Sequence, residues 1–132
     1  MATINFLTPP AYDAALTTEL NSLADAATAT VSSAITNGSG LYMFGDLSLI
    51  LASLTPTLAS ARIDFHISYL MDDATNYSTV GGGTVVGTKM VTTGAGIKYV
   101  MLGGVALLPR SFKLTITNRT GVALAASGNT LK

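Results

Sequence analysis

Hydrophobic and polar residues alternate most regularly in the stretch from Ala61 to Met71. Four positions there share an apolar row and four share a polar row: Ile63, Phe65, Ile67 and Tyr69, against Arg62, Asp64, His66 and Ser68. Successive side chains of a β-strand point to opposite faces, so this alternation predicts a half-buried strand. The polar row contains the only histidine of the chain, which makes this strand the first place to look for chemistry.

Six further stretches are predicted to be strands, each bounded by turns that are rich in Gly, Pro, Asn or Ser. They are Thr28–Ile35, Leu41–Leu54, Thr84–Thr92, Ile97–Leu108, Ser111–Asn118 and Val122–Ala126, the last followed by a polar tail, Ser127–Lys132. Gly45 interrupts the second of these stretches, and a glycine inside a strand pattern predicts a bulge or a bend.

The stretch Ile97–Leu108 differs from the others because both of its faces are largely apolar. Tyr99 and Met101 lie in one row, and Val100 and Leu102 lie in the other. A strand with two apolar faces is typically buried on both sides. We therefore expect this strand to be covered on both faces or to lie against another subunit.

Little of the sequence favours a helix. Asp13–Ala27 is the only candidate, because Leu16, Leu20 and Leu23 recur there at helical spacing. Its Thr, Asn and Ser residues favour turns and caps over helix interiors, so we predict at most one short helix.

The chain is predicted to consist of an arm and one domain. Residues 1–12 contain Pro9 and Pro10 and show no hydrophobic period, which predicts an extended N-terminal arm. Residues 13–132 then form a single domain. Because it contains several short strands and almost no helix, we predict an all-β fold, a jelly-roll-like or Greek-key β-sandwich.

The composition is poor in charge. Charged residues make up 11% of the 132 positions and hydrophobic residues 48%, whereas about 25% of residues are charged in an average globular protein. Exposed patches will therefore consist of Thr, Ser, Ala and Gly with some apolar side chains. Such a surface suits a protein that works in contact with others, although a neutral, Thr-rich domain that is soluble alone has the same composition.

The charges are segregated along the sequence. All seven acidic residues lie at or before position 73, and Arg62 is the only basic residue among them. In space the two halves could interleave and cancel, or they could make a dipolar molecule that is steered onto a charged partner. The six basic residues after position 73 are scattered without an aromatic-interleaved cluster, so no direct nucleic acid contact is predicted.

No targeting or membrane segment is predicted. The chain has no apolar run of about 18 residues or more, which a membrane-spanning helix needs, and residues 1–10 lack the pattern of a signal peptide. We therefore expect the protein to be made in a cytoplasm and to contact no membrane.

The best candidate for catalysis is His66 with Asp64 and Arg62. A carboxylate beside an imidazole orients the ring and raises its basicity. Positions i and i+2 of a strand are, however, about 6.5 to 7 Å apart, so such a contact is loose. The chain also has no Gly-x-Ser-x-Gly nucleophile elbow and no cysteine. We therefore expect a surface or interface histidine and no catalytic residue.

Two other motifs could hold a ligand. Asp72 and Asp73 with Asn76 offer oxygen ligands for calcium, but their spacing departs from the calcium-loop pattern, and Asp-rich turns are common for local reasons. Gly81–Gly83 lacks the Lys-Ser/Thr pair and the helix of a phosphate-binding loop. We predict no metal site and no cofactor.

Three stretches resemble a family of phage structural proteins, the capsid cement (decoration) proteins of tailed bacteriophages. They are Thr117–Leu131 (TNRTGVALAASGNTL), Glu19–Leu23 (ELNSL) and Leu47–Pro56 (LSLILASLTP). The resemblance implies a jelly-roll-like domain on the outside of a shell of HK97-fold major capsid protein, where it bridges neighbouring capsomers as a homodimer or homotrimer. It supplies no catalytic residue, and the tail of this chain is shorter than the family pattern.

The sequence therefore predicts a virion structural protein that stabilises contacts between major capsid protein subunits. Two alternatives remain open at this point. One is another virion component, such as a tail or fibre-base β domain. The other is a carbohydrate-binding β-sandwich that uses exposed aromatics from among Tyr42, Tyr69, Tyr77 and Tyr99.

Overall fold

The computed structural model describes residues 15–31, 33–37, 42–71, 76–78 and 84–132. Within these ranges it contains seven β-strands and a single 3₁₀ turn, Thr18–Leu20. The strands are β1 (Thr28–Thr30), β2 (Phe44–Leu51), β3 (Arg62–Tyr69), β4 (Thr84–Met90), β5 (Lys98–Ala106), β6 (Phe112–Arg119) and β7 (Thr130–Leu131). The predicted arm, residues 1–12, lies outside these ranges. Within them, no helix is long and apolar enough to cross a membrane.

The strands form two antiparallel sheets. One has the order β1-β6-β3-β4 and the other the order β5-β2-β7. After β4 and β5, the chain returns to place β6 beside β3, which is the Greek-key relation. The predicted all-β sandwich is therefore confirmed.

The inward rows of both sheets meet in one hydrophobic core. Its members on the long strands are Leu47, Leu49 and Leu51 of β2, Ile63, Phe65 and Ile67 of β3, Val100 and Val105 of β5, and Phe112, Leu114 and Ile116 of β6. Full burial of one such side chain stabilises a fold by about 1.5 to 3 kcal/mol. The alternation in the sequence thus predicted correctly which row of β3 faces inward.

The β2–β5 pair has a register shift beside Gly45, but the bulged strand is β5 and not β2 as predicted. In the β2–β5 pair, Gly45 lies opposite Val105 but Leu47 lies opposite Leu102, so β5 has one residue more than β2 across this step. The extra length is taken up around Gly104, whose φ of 68° is in the left-handed region. The bulge divides β5 into a straight first half and a second half beyond Gly104.

The polar row of β3 is more buried than predicted. Asp64, His66 and Ser68 are each 6 to 9% exposed, whereas a half-buried strand would leave this row in solvent. The reason is the position of β3 in its sheet, since it is flanked by β4 and β6. Thr115 and Thr117 of β6 lie directly opposite His66 and Asp64 and are themselves buried.

The predicted strand at Val122–Ala126 is wrong. The last strand is β7, in the stretch that was expected to be a polar tail. Leu131 explains the difference, because its side chain is fully buried and its backbone N–H donates to Leu16 O at 2.9 Å. On its other side, Leu131 lies opposite Leu49 of β2.

The candidate helix is reduced to the 3₁₀ turn, as the prediction of at most a short helix allowed. Leu16 is drawn into a β-bridge with Leu131, and Ser22 and Ala26 have positive φ angles of 56° and 62°, which a right-handed helix does not permit. β1 is also shorter than predicted. It ends at Thr30.

Candidate functional site

A row of polar side chains crosses the outer face of the four-stranded sheet. Thr30 of β1 and Thr115 of β6 share a hydrogen bond of 2.8 Å between their hydroxyls. Thr88 of β4 donates to Asp64 Oδ1 of β3, also at 2.8 Å. The row therefore joins edge strands to central ones through side chains, in addition to the backbone ladder.

His66 lies in this row but does not contact Asp64. Its Nε2 is 3.2 Å from the Oγ1 of Thr117, and its Nδ1 is buried and has no hydrogen-bond partner among the described residues. His66 is 9% exposed, so the expectation of a surface histidine is wrong. A partner that bound here would meet a side chain that the chain itself already covers. A general base must come within hydrogen-bond reach of its substrate, and the burial of this ring favours a packing role.

Three neighbouring side chains donate hydrogen bonds to the Asp64 carboxylate. Arg119 Nε donates to Oδ2 at 2.8 Å, Arg62 Nε donates to Oδ1 at 3.3 Å, and Thr88 supplies the third bond. Burial alone would raise the pKa of the Asp64 carboxyl. The hydrogen bonds from Thr88 and Arg119, together with the charges of Arg62 and Arg119, outweigh burial, and the pKa lies below its ordinary value.

The contacts of Asp64 bring the acidic and basic halves of the sequence together around β3. This strand comes from the acidic half of the chain, but its neighbours β4 and β6 come from the basic half. The pair formed by Asp64 and Arg119 joins the two halves directly. The strands of this sheet do not reach neutrality, because Asp64 is their one acidic residue beside Arg62, Lys89, Lys113 and Arg119.

The other two ligand motifs cannot be placed as sites. Asp72, Asp73 and Gly81–Gly83 lie outside the described residues, and Asn76 is the only member of either motif within them. In the described ranges, no three His, Asp or Glu side chains come close enough together to hold a metal ion.

The outer face of the three-stranded sheet has the opposite character. Seven of the eleven large hydrophobic side chains that are exposed in the described residues belong to β2, β5 or the positions flanking them: Tyr42, Met43, Phe44, Ile97, Tyr99, Met101 and Leu108. We call these seven residues the apolar surface. Tyr99 is 74% exposed and Met101 is 62% exposed, so β5 is not covered on both faces by its own chain.

The two charged residues of β2 and β5 each make a hydrogen bond within the chain, although Asp46 is exposed. Asp46 Oδ1 accepts a hydrogen bond of 2.8 Å from the backbone N–H of Gly104. Lys98 is 9% exposed, and its Nζ donates to Thr93 O at 3.4 Å. Asp46 therefore leaves one exposed carboxylate beside the apolar groups of this sheet, whereas Lys98 is buried.

The four tyrosines named as possible sugar-stacking residues do not form a common platform. The Tyr69 hydroxyl donates to Ala106 O and accepts from Leu108 N, and its ring meets Phe112 edge-on, with 6.0 Å between ring centroids. The Tyr77 ring lies under Lys113 Nζ at 4.9 Å.

Tyr42 and Tyr99 are the two exposed members of this group, and they lie near opposite ends of the sheet. Tyr99 is opposite Ile50, whereas Tyr42 precedes Phe44. Phe44 and Ile50 are six positions apart on β2, which is about 20 Å at roughly 3.3 Å per residue. One sugar ring cannot contact both tyrosines.

Two buried asparagines were not identified from the sequence. Asn129 accepts from Ala52 N through Oδ1, and its Nδ2 donates to Ala125 O at 2.7 Å and to Leu20 O at 3.5 Å. Asn118 Nδ2 donates to Leu23 O and Val122 O. Their only sequence signal is their place in turn motifs, beside Gly121 and Gly128.

These bonds join the three stretches that carry the family resemblance. Asn129 and Asn118 belong to Thr117–Leu131, Leu20 and Leu23 to Glu19–Leu23, and Ala52 to Leu47–Pro56. The similar residues are therefore neighbours in space and hold three distant parts of the chain together. This arrangement concerns the fold and is not itself a binding site.

A third buried asparagine closes a loop of the apolar surface. Asn37 Oδ1 accepts from Tyr42 N, and its Nδ2 donates to Tyr42 O and Leu108 O. The sequence predicts a turn after Thr28–Ile35, where Asn37 lies, but it does not predict these hydrogen bonds. The bonds place Tyr42 and Leu108, which both belong to the apolar surface, side by side.

Comparisons of the chain with protein-family models, with curated proteins and with solved structures find no match. No family is therefore assigned to the chain by comparison.

Proposed function

We propose that this chain is a viral structural protein, a capsid cement (decoration) protein that binds the outer surface of a tailed phage capsid. In this role it stabilises contacts between subunits of the HK97-fold major capsid protein. It would be made in the host cytoplasm and end on the outside of the virion. The resemblance supplies the family, and the surface of the molecule supplies the physical support.

The observation that carries the proposal is the apolar surface. Apolar burial contributes about 25 cal/mol per Å² before the costs of association, and a standard interface buries about 1,600 Å² in total. A largely uncharged sheet face can therefore make a stable contact without ion pairs. Large exposed apolar patches are uncommon on monomeric proteins and usually mark contact sites.

The polar side of the molecule supports the same proposal. Arg62 and Arg119 both donate hydrogen bonds to Asp64, and His66 is buried beside Thr117. These groups serve the sheet, which fits a protein whose work is contact and not turnover. The separation of Tyr42 from Tyr99 disfavours the carbohydrate-binding alternative.

The test is attachment to particles that lack this protein. Phe44→Lys places a charge in the apolar surface at a side chain that is 62% exposed. We expect it to weaken attachment by at least about tenfold, as loss of one anchoring aromatic does in other interfaces. The matched control is Val85→Lys on β4, at a side chain that is 55% exposed on the other sheet.

The control variant should attach as the wild type does. Equal attachment of the wild type and Phe44→Lys would refute the assignment of the apolar surface to the shell. Attachment of the wild type to isolated tails, with none to heads, would instead favour the other virion role.

A further inference from the structure

The outer face of the three-stranded sheet carries one carboxylate among its apolar side chains. Asp46 lies on β2 two positions after Phe44, so both side chains point outward from the sheet. Asp46 is exposed, and Phe44 is 62% exposed. A partner that covers the apolar surface must therefore cover this carboxylate as well.

The bulge in β5 holds the Asp46 carboxylate in one place. The backbone N–H of Gly104 donates to Oδ1 at 2.8 Å, and Gly104 has a φ of 68°, in the left-handed region that glycine adopts without strain. Within the part of the chain that the structure describes, no second donor reaches this carboxylate. Oδ2 is thus left to accept a hydrogen bond from outside the chain.

The carboxylate lies in a notch of the sheet surface. Gly103 and Gly104 have no side chains, and a Cβ added at Gly103 would lie 3.3 Å from Asp46 Oδ1, so the two glycines leave the carboxylate open to a partner. Large side chains flank the notch. Phe44 precedes Asp46 on β2, Met101 precedes Gly103 on β5, and each is 62% exposed. We call these five residues the Asp46 notch.

We propose that the Asp46 notch receives an arginine side chain from the partner that covers the apolar surface. This inference rests on the proposed function, in which that partner is the major capsid protein. Taking a carboxylate out of water without a counter-charge is costly in free energy, so a purely apolar partner would bind poorly here. A guanidinium can donate to Oδ2 while its plane stacks on the ring of Phe44. The aliphatic part of the arginine can pack against Met101.

The pair would place the sheet on its partner, while apolar burial supplies most of the affinity. A partner with a carboxylate at this position would bury two like charges, and one with an apolar side chain would leave Asp46 unpaired. Only a cation at the matching position avoids both costs. Because apolar side chains enclose the pair, salt screens it little.

The first test repeats the attachment assay with Asp46→Asn. Asparagine keeps an acceptor for the N–H of Gly104 but has no charge, so attachment should weaken by about tenfold or more. The matched control is Asp25→Asn. Asp25 is also exposed and also accepts from a glycine, the N–H of Gly121 at 2.9 Å, but Gly121 follows β6 of the other sheet. The control should attach as the wild type does.

The outcomes separate this proposal from the proposed function. Loss of attachment in Phe44→Lys but not in Asp46→Asn would overturn the arginine contact and leave the assignment of the apolar surface standing. Equal weakening by Asp46→Asn and Asp25→Asn would show a general effect of charge and would also overturn the contact. Thermal unfolding of each variant shows whether it is folded.

The second test needs neither capsids nor variants. Backbone amide signals of the wild type are followed by NMR during titration with N-acetylarginine amide. Gly104 reports on Asp46 and Gly121 reports on Asp25, two carboxylates that each accept from a glycine N–H. The Gly104 signal should shift at a several-fold lower concentration, because Phe44 and Met101 add contacts to the ligand. Shifts of both signals at the same concentration, or no shift of Gly104, would overturn the proposal even if Asp46→Asn failed to fold.

Discussion

Arg119 Nε donates a hydrogen bond to Asp64 Oδ2 across the β3–β6 pair, with 2.8 Å between the two atoms. Asp64 is buried, whereas the Arg119 side chain is 45% exposed. The contact joins the acidic and basic halves of the chain at the centre of the four-stranded sheet. The Asp64 carboxylate must be ionised to accept hydrogen bonds from Arg62, Arg119 and Thr88.

The first prediction is a loss of stability at acid pH that depends on Asp64. Because the folded-state pKa of Asp64 lies below its ordinary value, the ionised carboxylate stabilises the fold at pH values above the unfolded-state pKa. This stability is lost as the pH falls through the still lower folded-state pKa. Asp64→Asn should therefore be less stable at neutral pH and show a smaller further loss below about pH 4.

Chemical denaturation across this pH range measures both effects. At neutral pH we expect Asp64→Asn to cost about 1 to 2 kcal/mol, between the values of exposed and buried charged hydrogen bonds. Glu19→Gln is the control, since Glu19 also has a lowered pKa, from backbone hydrogen bonds of Glu19 and Thr17, but is exposed. An equal acid slope in Asp64→Asn and the wild type would contradict the assignment.

The inward rows could be predicted from the sequence because they depend on local alternation. The period of two in β3 acts within a few residues, and the strand and its inward row are confirmed. Gly45 marks the register shift, but the extra residue lies on the partner strand β5. What was missed depends on distant partners. Asn129 is buried because its side-chain amide binds backbone groups of Leu20, Ala52 and Ala125. These residues lie too far apart in the sequence for a local pattern to include all of them.

The same reasoning explains the errors at β3 and β7. The alternation of β3 gives its faces but not its place in the sheet, and a central place between β4 and β6 covers the polar row as well. For β7, one apolar residue in a polar tail is a weak signal, yet Leu131 pairs with both Leu16 and Leu49. The candidate surface was partly predictable, since the two apolar faces of β5 raised the possibility of contact with another subunit.

The second prediction compares two glycines that share a left-handed backbone. Gly121 has a φ of 84° and Gly94 a φ of 92°. A Cβ added at Gly121 would lie 2.7 Å from Leu58 Cγ and 3.2 Å from the backbone nitrogen of Leu58, whereas one added at Gly94 would have no neighbour within 4 Å. Gly94→Ala should therefore cost about 1 kcal/mol, from backbone strain alone.

Gly121→Ala should cost more, about 2 to 4 kcal/mol, because steric contact is added to the same strain. The difference between the two alanine variants in denaturant midpoint isolates the crowding. Equal midpoints would show that the loop at Leu58 yields without cost.

The third prediction concerns the contact between β4 and β5. A Cβ on Gly87 would lie 2.5 Å from Leu102 Cδ1 and 2.6 Å from Cδ2, so Gly87→Ala should destabilise the protein by about 1 to 3 kcal/mol. Leu102→Ala removes the obstructing methyl groups and leaves a gap. In the double variant the alanine methyl group partly fills this gap.

The two substitutions should therefore cost less together than the sum of their separate costs, and a double-mutant cycle measures this coupling. Strict additivity would mean that Leu102 does not occupy the space above Gly87.

The fourth prediction concerns the amide of Asn129, which is 2% exposed. Asn129→Ala leaves Ala52 N and the carbonyls of Leu20 and Ala125 without this partner, and each unsatisfied buried group costs about 1 to 3 kcal/mol. We expect a total loss of about 2 to 4 kcal/mol. Asn129→Asp is the informative comparison, because it keeps an acceptor for Ala52 N but aims a carboxylate at the two carbonyls.

Thermal unfolding should show Asn129→Asp to be at least as destabilised at neutral pH as Asn129→Ala, and to recover partly when the carboxyl is protonated. An aspartate variant as stable as the wild type would contradict the bonding assigned to Nδ2.

The last prediction follows from the apolar surface and concerns salt. Exposed ion pairs contribute about 0 to 1 kcal/mol each, and β2 and β5 have one charged residue each, of which Lys98 is buried. Apolar burial should therefore hold the protein on a capsid, while the remaining charges act only at long range during approach. Screening acts on this long-range part, because the Debye length falls from about 10 Å at 0.1 M to about 3 Å at 1 M salt.

Raising the salt should slow attachment more than it speeds release. Particles that already carry the protein should keep it, and keep their thermal stability, when they are moved from low salt to about 1 M sodium chloride. If high salt strips the protein from the particles, the basic residues between Lys89 and Lys132 hold the contact electrostatically, and the apolar surface is not the main source of affinity.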